Sequence, residues 1–316
     1  MYVNPNIKLK ETWKLYDHKG DRFYFSDKKK LRAGITTILQ SVMPTSRHLL
    51  QWYADNGEAE LQRTADMGSL LHLMILRFIK GEEWWTSIMP GAVSQVEENL
   101  LRKWMVSMRN FERDYFPAIT PLLLEVPLGG KVAGCEYACT IDFLSEILIP
   151  ETVMVEGDEV YKSGKNKGQK KLVAVTTTKR VMSIVDFKSN PYEKDKKFYD
   201  SHLFQLLAQK QAVFEQTGIV VERIFNWTPT AWRDDNGANT YKLVEWVLEG
   251  QKPVGTNYQT YTKKDVEQFH LFMKLAKLKG LNLPSGTITE YKNFLRGEDT
   301  PSIEKLDFQT YIKNKL

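Results

Sequence analysis

The sequence predicts an α/β core with a helical attachment at its N-terminal end. Three observations carry this. Helical and strand periodicities alternate between Glu58 and Trp227 in the order helix, three strands, helix, strand. The 316 residues are 42% hydrophobic and 12% aromatic, ample material for a packed core. Charged residues are 26% with both signs mixed, which opposes disorder. No internal repeat or long linker forces a division, so one domain is expected. Residues 1–118 would form an N-terminal hairpin and helices, 119–230 the α/β core, and 231–316 a C-terminal strand and helices.

Taken in order, Thr12 to Tyr16 and Arg22 to Phe25 read as a hairpin around the turn signal Lys19-Gly-Asp21. Gly34 to Val42 and Ser46 to Asp55 read as short helices separated by Pro44, with Ser46 as an N-cap. Glu58 to Lys80 is a longer helix closed by Gly81. Val93 to Tyr115 is another, because Leu100, Leu101, Trp104, Met108 and Phe111 recur at helical spacing before Pro117. Strands follow at Pro121 to Leu128 and Val132 to Leu144, with Gly129-Gly130 as the expected turn. Thr152 to Tyr161 and Lys171 to Thr178 form a second, excursive hairpin, and Val181 to Lys188 a further strand. Asp195 to Gln216 is a helix closed by Gly218. Val220 to Trp227 and Thr240 to Leu248 are strands, Lys263 to Lys279 is a helix, and short helices finish the chain.

Several classes fall away on composition. No apolar run approaches the roughly 18–20 residues of a membrane span. The nearest, Leu70 to Ile79, is interrupted by His72 and Arg77. The opening MYVNPNIKLKE lacks an apolar signal core, so an intracellular, cytoplasmic protein is expected. Cys135 and Cys139 are the only cysteines, too few for a zinc or iron–sulfur set, and read as reduced, buried small hydrophobes. The net charge of +5 is mild, so the distribution of charge matters more than its sum.

Four features could carry chemistry. In Val181 to Lys188 the strand period puts Ile184, Asp186 and Lys188 on one face, and Val185 and Phe187 on the other. An acid and a base side by side there are either a solvated strand end or an arranged site. Asp142 shares a face with Ala138 and Thr140 and is embedded between Ile141 and Phe143. Burying such a carboxylate costs several kcal/mol unless it is paired or metal-bound, so it is either a salt bridge or a ligand. Gly68 and His72 lie one helical turn apart. His202, Gln205 and Gln209 form a polar line among Leu203, Leu206 and Leu207, which is either a solvent-facing stripe or a lining of the site.

In their joint order these segments resemble the PD-(D/E)XK nuclease superfamily, and within it the RecB-like and phage-type exonuclease branch. The resemblance spans about Gly34 to Trp227. Gly34-Ile-Thr-Thr-Ile-Leu39 and Leu50-Gln-Trp52 look like the family's N-terminal lead-in. Ala138-Cys-Thr-Ile-Asp142 is similar to its Ala-Gly-Thr-Ile-Asp segment, and Val185-Asp-Phe-Lys188, followed by Ser189, to its Val-Asp-Tyr-Lys segment. Cys139 stands where glycine is usual, and Gln209 where a tyrosine often follows the helical glutamine. The long gap from Asp142 to Asp186 is attributed to an inserted basic hairpin at about 150–180.

The resemblance implies a restriction-endonuclease-like core and a metal-dependent DNA exonuclease, phage-encoded, acting in DNA recombination, repair or processing. One or two Mg2+ or Mn2+ ions would be held by carboxylate, imidazole and carbonyl ligands, with no iron–sulfur cluster. Asp142 would be the central ligand, Asp186 the second carboxylate, the Phe187 carbonyl a neighbouring ligand, and His72 a further one. Lys188 would orient the attacking water, and Gln205 would hold the catalytic strand end or a phosphate. Glu125, on the face of Leu123, is an extra ligand or a salt-bridge partner. Partners would be single- or double-stranded DNA ends and a single-strand-annealing or other recombination protein. Lys162, Lys165, Lys167, Lys170 and Lys171 on the insertion are either a phosphate grip or a solvated tip, and Lys28 to Arg32 is a lesser candidate. Trp84, Trp85 and Trp232 could stack on bases or belong to the core. Two readings stand beside this one. They are endonucleolytic or RNA-directed cleavage on the same core, and a nuclease fold used only to bind nucleic acid or a protein.

Overall fold

The structure, a computed structural model, describes residues 1–18, 21–45, 104, 106–114, 121–189, 198–229, 241–255 and 257–283, with positions 51, 55, 68, 71, 72 and 74–79 between them. It is α/β, with a mixed sheet flanked by helices. The strands are β1 (Tyr2–Val3), β2 (Trp13–His18), β3 (Asp21–Ser26), β4 (Leu31–Ala33), β5 (Leu123–Val132), β6 (Cys135–Val160), β7 (Lys170–Phe187), β8 (Arg223–Pro229), β9 (Tyr241–Leu248) and β10 (Tyr258–Tyr261). The named helices are α1 (Ile35–Val42), α2 (Asp200–Thr217) and α3 (Lys263–Leu278). Residues 71–72, 74–79 and 106–114 are also helical. No helix among the described residues is long and apolar enough to cross a membrane.

The large sheet has the order β1-β5-β6-β7-β8-β9-β10, and β2-β3-β4 form a small antiparallel sheet. In the large sheet β7 and β8 are parallel, as are β9 and β10, and the other neighbours are antiparallel. α2 is the crossover between β7 and β8, the connection that a parallel pair needs. Each face of the sheet has its own core. Val185, Phe187, Phe225 and Trp227 pack with Leu71, Met74, Trp104 and Phe111 on one side. Ile184, Ile224 and Trp246 pack with Leu203, Phe204, Phe269 and Met273 on the other. α2 stops where Gly218 adopts φ 79° and donates its N–H to Phe214 O at 2.8 Å. α3 starts in a capping box between Thr262 and Asp265.

Two expectations change. Gly129-Gly130 is not a turn, because β5 continues through both to Val132. The chain reverses at Ala133-Gly134, where φ is 49° and 78°, the left-handed pair that suits a tight hairpin. The two glycines instead allow close approach. Trp13 lies over Gly129, and a Cβ on Gly130 would meet Tyr137 Oη at 2.5 Å. The expected excursive hairpin is the outer half of a single ladder. β6 and β7 pair without a break from Phe143↔Val185 to Glu156↔Leu172, then shift register before Val160↔Lys170. β5 accompanies β6 only as far as Leu144, and β8 accompanies β7 only from Ser183, so the rest is a two-stranded arm.

Ser46, Leu50, Trp52, Trp84, Trp85 and Trp232 lie outside the described residues, as do the expected C-terminal helices beyond 283. Within Lys28 to Arg32, three of the basic side chains have partners in the fold. Lys28 Nζ donates to Lys10 O at 2.8 Å, Lys30 pairs with Glu11 at 2.8 Å, and Arg32 pairs with Glu136. Cys135 and Cys139 are free and buried, as the sequence suggests.

Candidate functional site

The site lies where β6 and β7 part. Their ladder ends at Phe143↔Val185, and β7 runs on beside β8 to Phe187↔Trp227. The carboxylate of Asp142 fills the fork, its Oδ2 accepting the Phe187 N–H at 3.0 Å. A backbone donor that would otherwise be orphaned is thereby satisfied, and the acid is pinned. The period of two in β7 holds as expected. Val185 and Phe187 enter one core and Ile184 the other, with Asp186 on the Ile184 side.

Glu125 does not follow its alternation. Leu123 packs in one core and Leu124 in the other, yet Val126 returns to the core of Leu123. The cause is the backbone of Glu125, whose φ of 52° is left-handed in the middle of a strand. A side chain in that conformation costs roughly 1–2 kcal/mol. The turn swings its carboxylate off the expected Leu123 face and against the helical residues 71–72 and 74–79, where Glu125 Oε1 lies 2.8 Å from His72 Nδ1. Strain held in place by packing is typical of functional positions.

His72 Nδ1 also lies 3.8 Å from Asp142 Oδ2, and the imidazole and the Phe187 ring stand nearly perpendicular with centroids 6.4 Å apart. Ligand atoms of His72, Glu125 and Asp142 fall within 4.8 Å of one another. Two carboxylates and an imidazole are a donor set that suits a hard divalent cation, manganese in particular. Burial lowers the His72 pKa, but Asp142 and Glu125 outweigh it and hold the pKa at about 9. Without a metal, His72 is an imidazolium that offsets one of the two carboxylate charges. Burial raises the Asp142 carboxyl above its ordinary value, against the opposing pull of His72.

A second network adjoins the first through Phe187. Asp186 is wholly buried, and both its oxygens are held. Oδ1 accepts from Gln205 Nε2 at 3.0 Å, and Oδ2 accepts from Asn226 Nδ2 at 2.6 Å and lies 2.7 Å from Lys188 Nζ. Lys188 also donates to Gln205 Oε1 at 3.2 Å, which closes a three-residue ring. Burial raises the Asp186 carboxyl, and Lys188 works against that rise. Asn226 is fixed in turn by Trp246, whose Nε1 donates to Asn226 Oδ1 at 2.7 Å.

Of the expected site residues, His72, Glu125 and Asp142 form one group and Asp186, Lys188 and Gln205 the other. Asp186 points into its own network, outside the three-ligand group, and Phe187 meets Asp142 through its N–H. The polar line on α2 is no solvent-facing stripe. Gln209 is buried and donates to Thr140 O at 3.0 Å, while His202 Nδ1 is buried without a hydrogen-bond partner among the described residues. Burial and Lys188 lower the His202 pKa to about 3, so its ring is neutral. A Cβ on Gly68 would lie 3.6 Å from Ser189 Oγ, an ordinary contact. Asn226 and Trp246 went unnoticed in the sequence. Their one signal is the strand period that sets Asn226 beside Asp186 once β7 and β8 are paired.

Compared with models of known protein families, the chain matches none, and curated proteins likewise show no match.

Proposed function

We propose that this protein is a divalent-metal-dependent deoxyribonuclease of the PD-(D/E)XK type, built on a restriction-endonuclease-like core and acting as an exonuclease in DNA recombination, repair or processing. The observation that supports it best is the meeting of two groups at one strand fork. His72, Glu125 and Asp142 form a cluster fit for a cation, and Asp186, Lys188 and Gln205 form a hydrogen-bonded ring beside it. His72, Glu125 and Asp142 would hold Mg2+ or Mn2+, with Asp186 as the adjacent carboxylate. Such an ion supplies neutralisation of charge on the phosphate.

The chain's own groups do the rest. Lys188 presents a compact positive charge at the mouth of the fork, where it orients a water for attack on phosphorus. Gln205 bridges that ammonium and the Asp186 carboxylate through its amide. Asn226 and Trp246 stop Asp186 from turning away. In the reaction, a water oxygen–phosphorus bond forms and one phosphorus–oxygen ester bond breaks. The purified protein with Mg2+ or Mn2+ is expected to degrade linear DNA, and Asp186→Ala or Lys188→Ala to abolish this while leaving the circular dichroism spectrum intact. Cutting by both variants at the parent rate would refute the assignment. Circular and linear substrates compared side by side separate endonucleolytic from end-dependent cleavage.

A further inference from the structure

The arm of β6 and β7 grows from the strands that carry Asp142 and Asp186. Its turn holds the lysines that the sequence singled out, but they are not equivalent. Lys170 lies 3.6 Å from Glu156, and Lys171 lies 2.8 Å from Glu159. The acids of the arm thus neutralise its two shoulder lysines. Lys162, Lys165 and Lys167 are exposed and make no ion pair among the described residues. The turn has a defined shape. Gly164 and Gly168 adopt φ of 84° and 88°, Lys167 N–H donates to Gly164 O at 3.1 Å, and Gly168 N–H donates to Tyr161 O at 2.9 Å. Three cations therefore sit on a structured tip.

The tip is far from the candidate site, and its distance is set by the ladder. β7 runs from Lys170 to Asp186 as one strand. At about 3.3 Å per residue that is roughly 50 Å. B-DNA rises about 3.4 Å per base pair, so a duplex laid along the arm from the fork would bring the tip opposite a point about 15 base pairs away. A duplex is straight over that length, since its persistence length is about 150 base pairs. It therefore holds a phosphate at a fixed distance, which a flexible single strand does not.

We propose that Lys162, Lys165 and Lys167 grip the phosphate backbone of duplex DNA about 15 base pairs from the fork, so that the arm selects long duplex substrates. This rests on the nuclease reading for what happens at the fork. The binding itself is measured without metal, so it is judged apart from cleavage. The arm body also exposes Val155, Val173 and Val175, surface that would suit a protein partner, and the test has to distinguish this.

The test measures fluorescence anisotropy of labelled duplexes of 10 and 30 base pairs in EDTA, with the full chain and with a Lys162→Gln, Lys165→Gln, Lys167→Gln variant. Melting curves and light scattering accompany both. The parent should prefer the longer duplex, and the variant should lose that preference while binding the short duplex as before. The slope of log affinity against log salt on the 30-mer should fall by about 2.7, three phosphate contacts at about 0.9 each. Between 50 and 200 mM salt the parent should then lose about 40-fold more affinity than the variant. An unchanged slope and length preference overturns the proposal. So does a variant whose only change is lost self-association, which would make the arm an assembly element.

Discussion

Replacing Asn226 by alanine tests whether the Asp186 network is held from behind. Asn226 and Asp186 are both wholly buried, and they meet at 2.6 Å. Losing a hydrogen bond to a charged group costs about 1.5–3 kcal/mol. The same substitution orphans Trp246 Nε1, whose partner is Asn226 Oδ1 at 2.7 Å, for about 1–3 kcal/mol more. The sum, about 2.5–6 kcal/mol, is a large share of a typical domain's stability. Trp246→Phe keeps an aromatic ring but leaves Asn226 Oδ1 unpaired, at about 1–3 kcal/mol. Each single variant strands the polar atom of the other residue, and the double variant strands neither. The double should therefore cost less than the sum of the singles by both stranding penalties, about 2–3 kcal/mol. Urea unfolding followed by circular dichroism measures all three. A cost below about 1 kcal/mol for Asn226→Ala, or strict additivity of the pair, would refute the network.

Three more predictions concern the metal cluster, the close glycine and the thiols. In EDTA the stability that protonated His72 contributes is fully present below its ordinary value of 6.5 and is lost as pH rises through about 9. The raised carboxyls of Asp142 and Asp186 act in the same direction, but from their ordinary value of 3.8 upward, so the window from 6.5 to about 9 is assigned to His72. The melting temperature without metal should fall across that window, Mn2+ should restore more of it at pH 9 than at pH 6.5, and His72→Ala should flatten the profile. A pH-independent parent would count against the cluster. Gly130→Ala should destabilise the chain by about 1–3 kcal/mol. Its Cβ would lie 2.5 Å from Tyr137 Oη, and that hydroxyl is tied to Ala208 O at 2.7 Å and has no room to retreat. Parental stability in urea would overturn this. Burial pushes the Cys135 thiol up to about 11 and raises Cys139 as well. A disulfide reagent at pH 8 should find no fast thiol in the native chain and two in urea, and rapid native labelling would contradict that.

What the sequence by itself determined is local and periodic. Alternation along Val181 to Phe187 sorts Asp186 from Val185 and Phe187, and the structure keeps that sorting. Gly218 marks the end of α2, and the Lys263 helix begins where its cap residues stand. Such features depend on neighbours within one turn or one pleat, so they can be read from residue order. The glycine pair misled because glycine permits both a turn and a close approach, and only Trp13 and Tyr137, brought from elsewhere, decide which.

Everything that depends on partners across the chain was decided by the tertiary structure. Asn226 meets Asp186 across 40 residues, and His72 meets Glu125 across 53. Glu156 and Glu159 remove two of five lysines from the basic tip because the ladder folds them back onto it. At Glu125 a single left-handed residue reverses which face the strand presents. The physical reason is that periodicity assigns a side chain to one of two faces, while register and local backbone breaks assign its neighbours. Both are settled only when the strands pair and the two cores close over them.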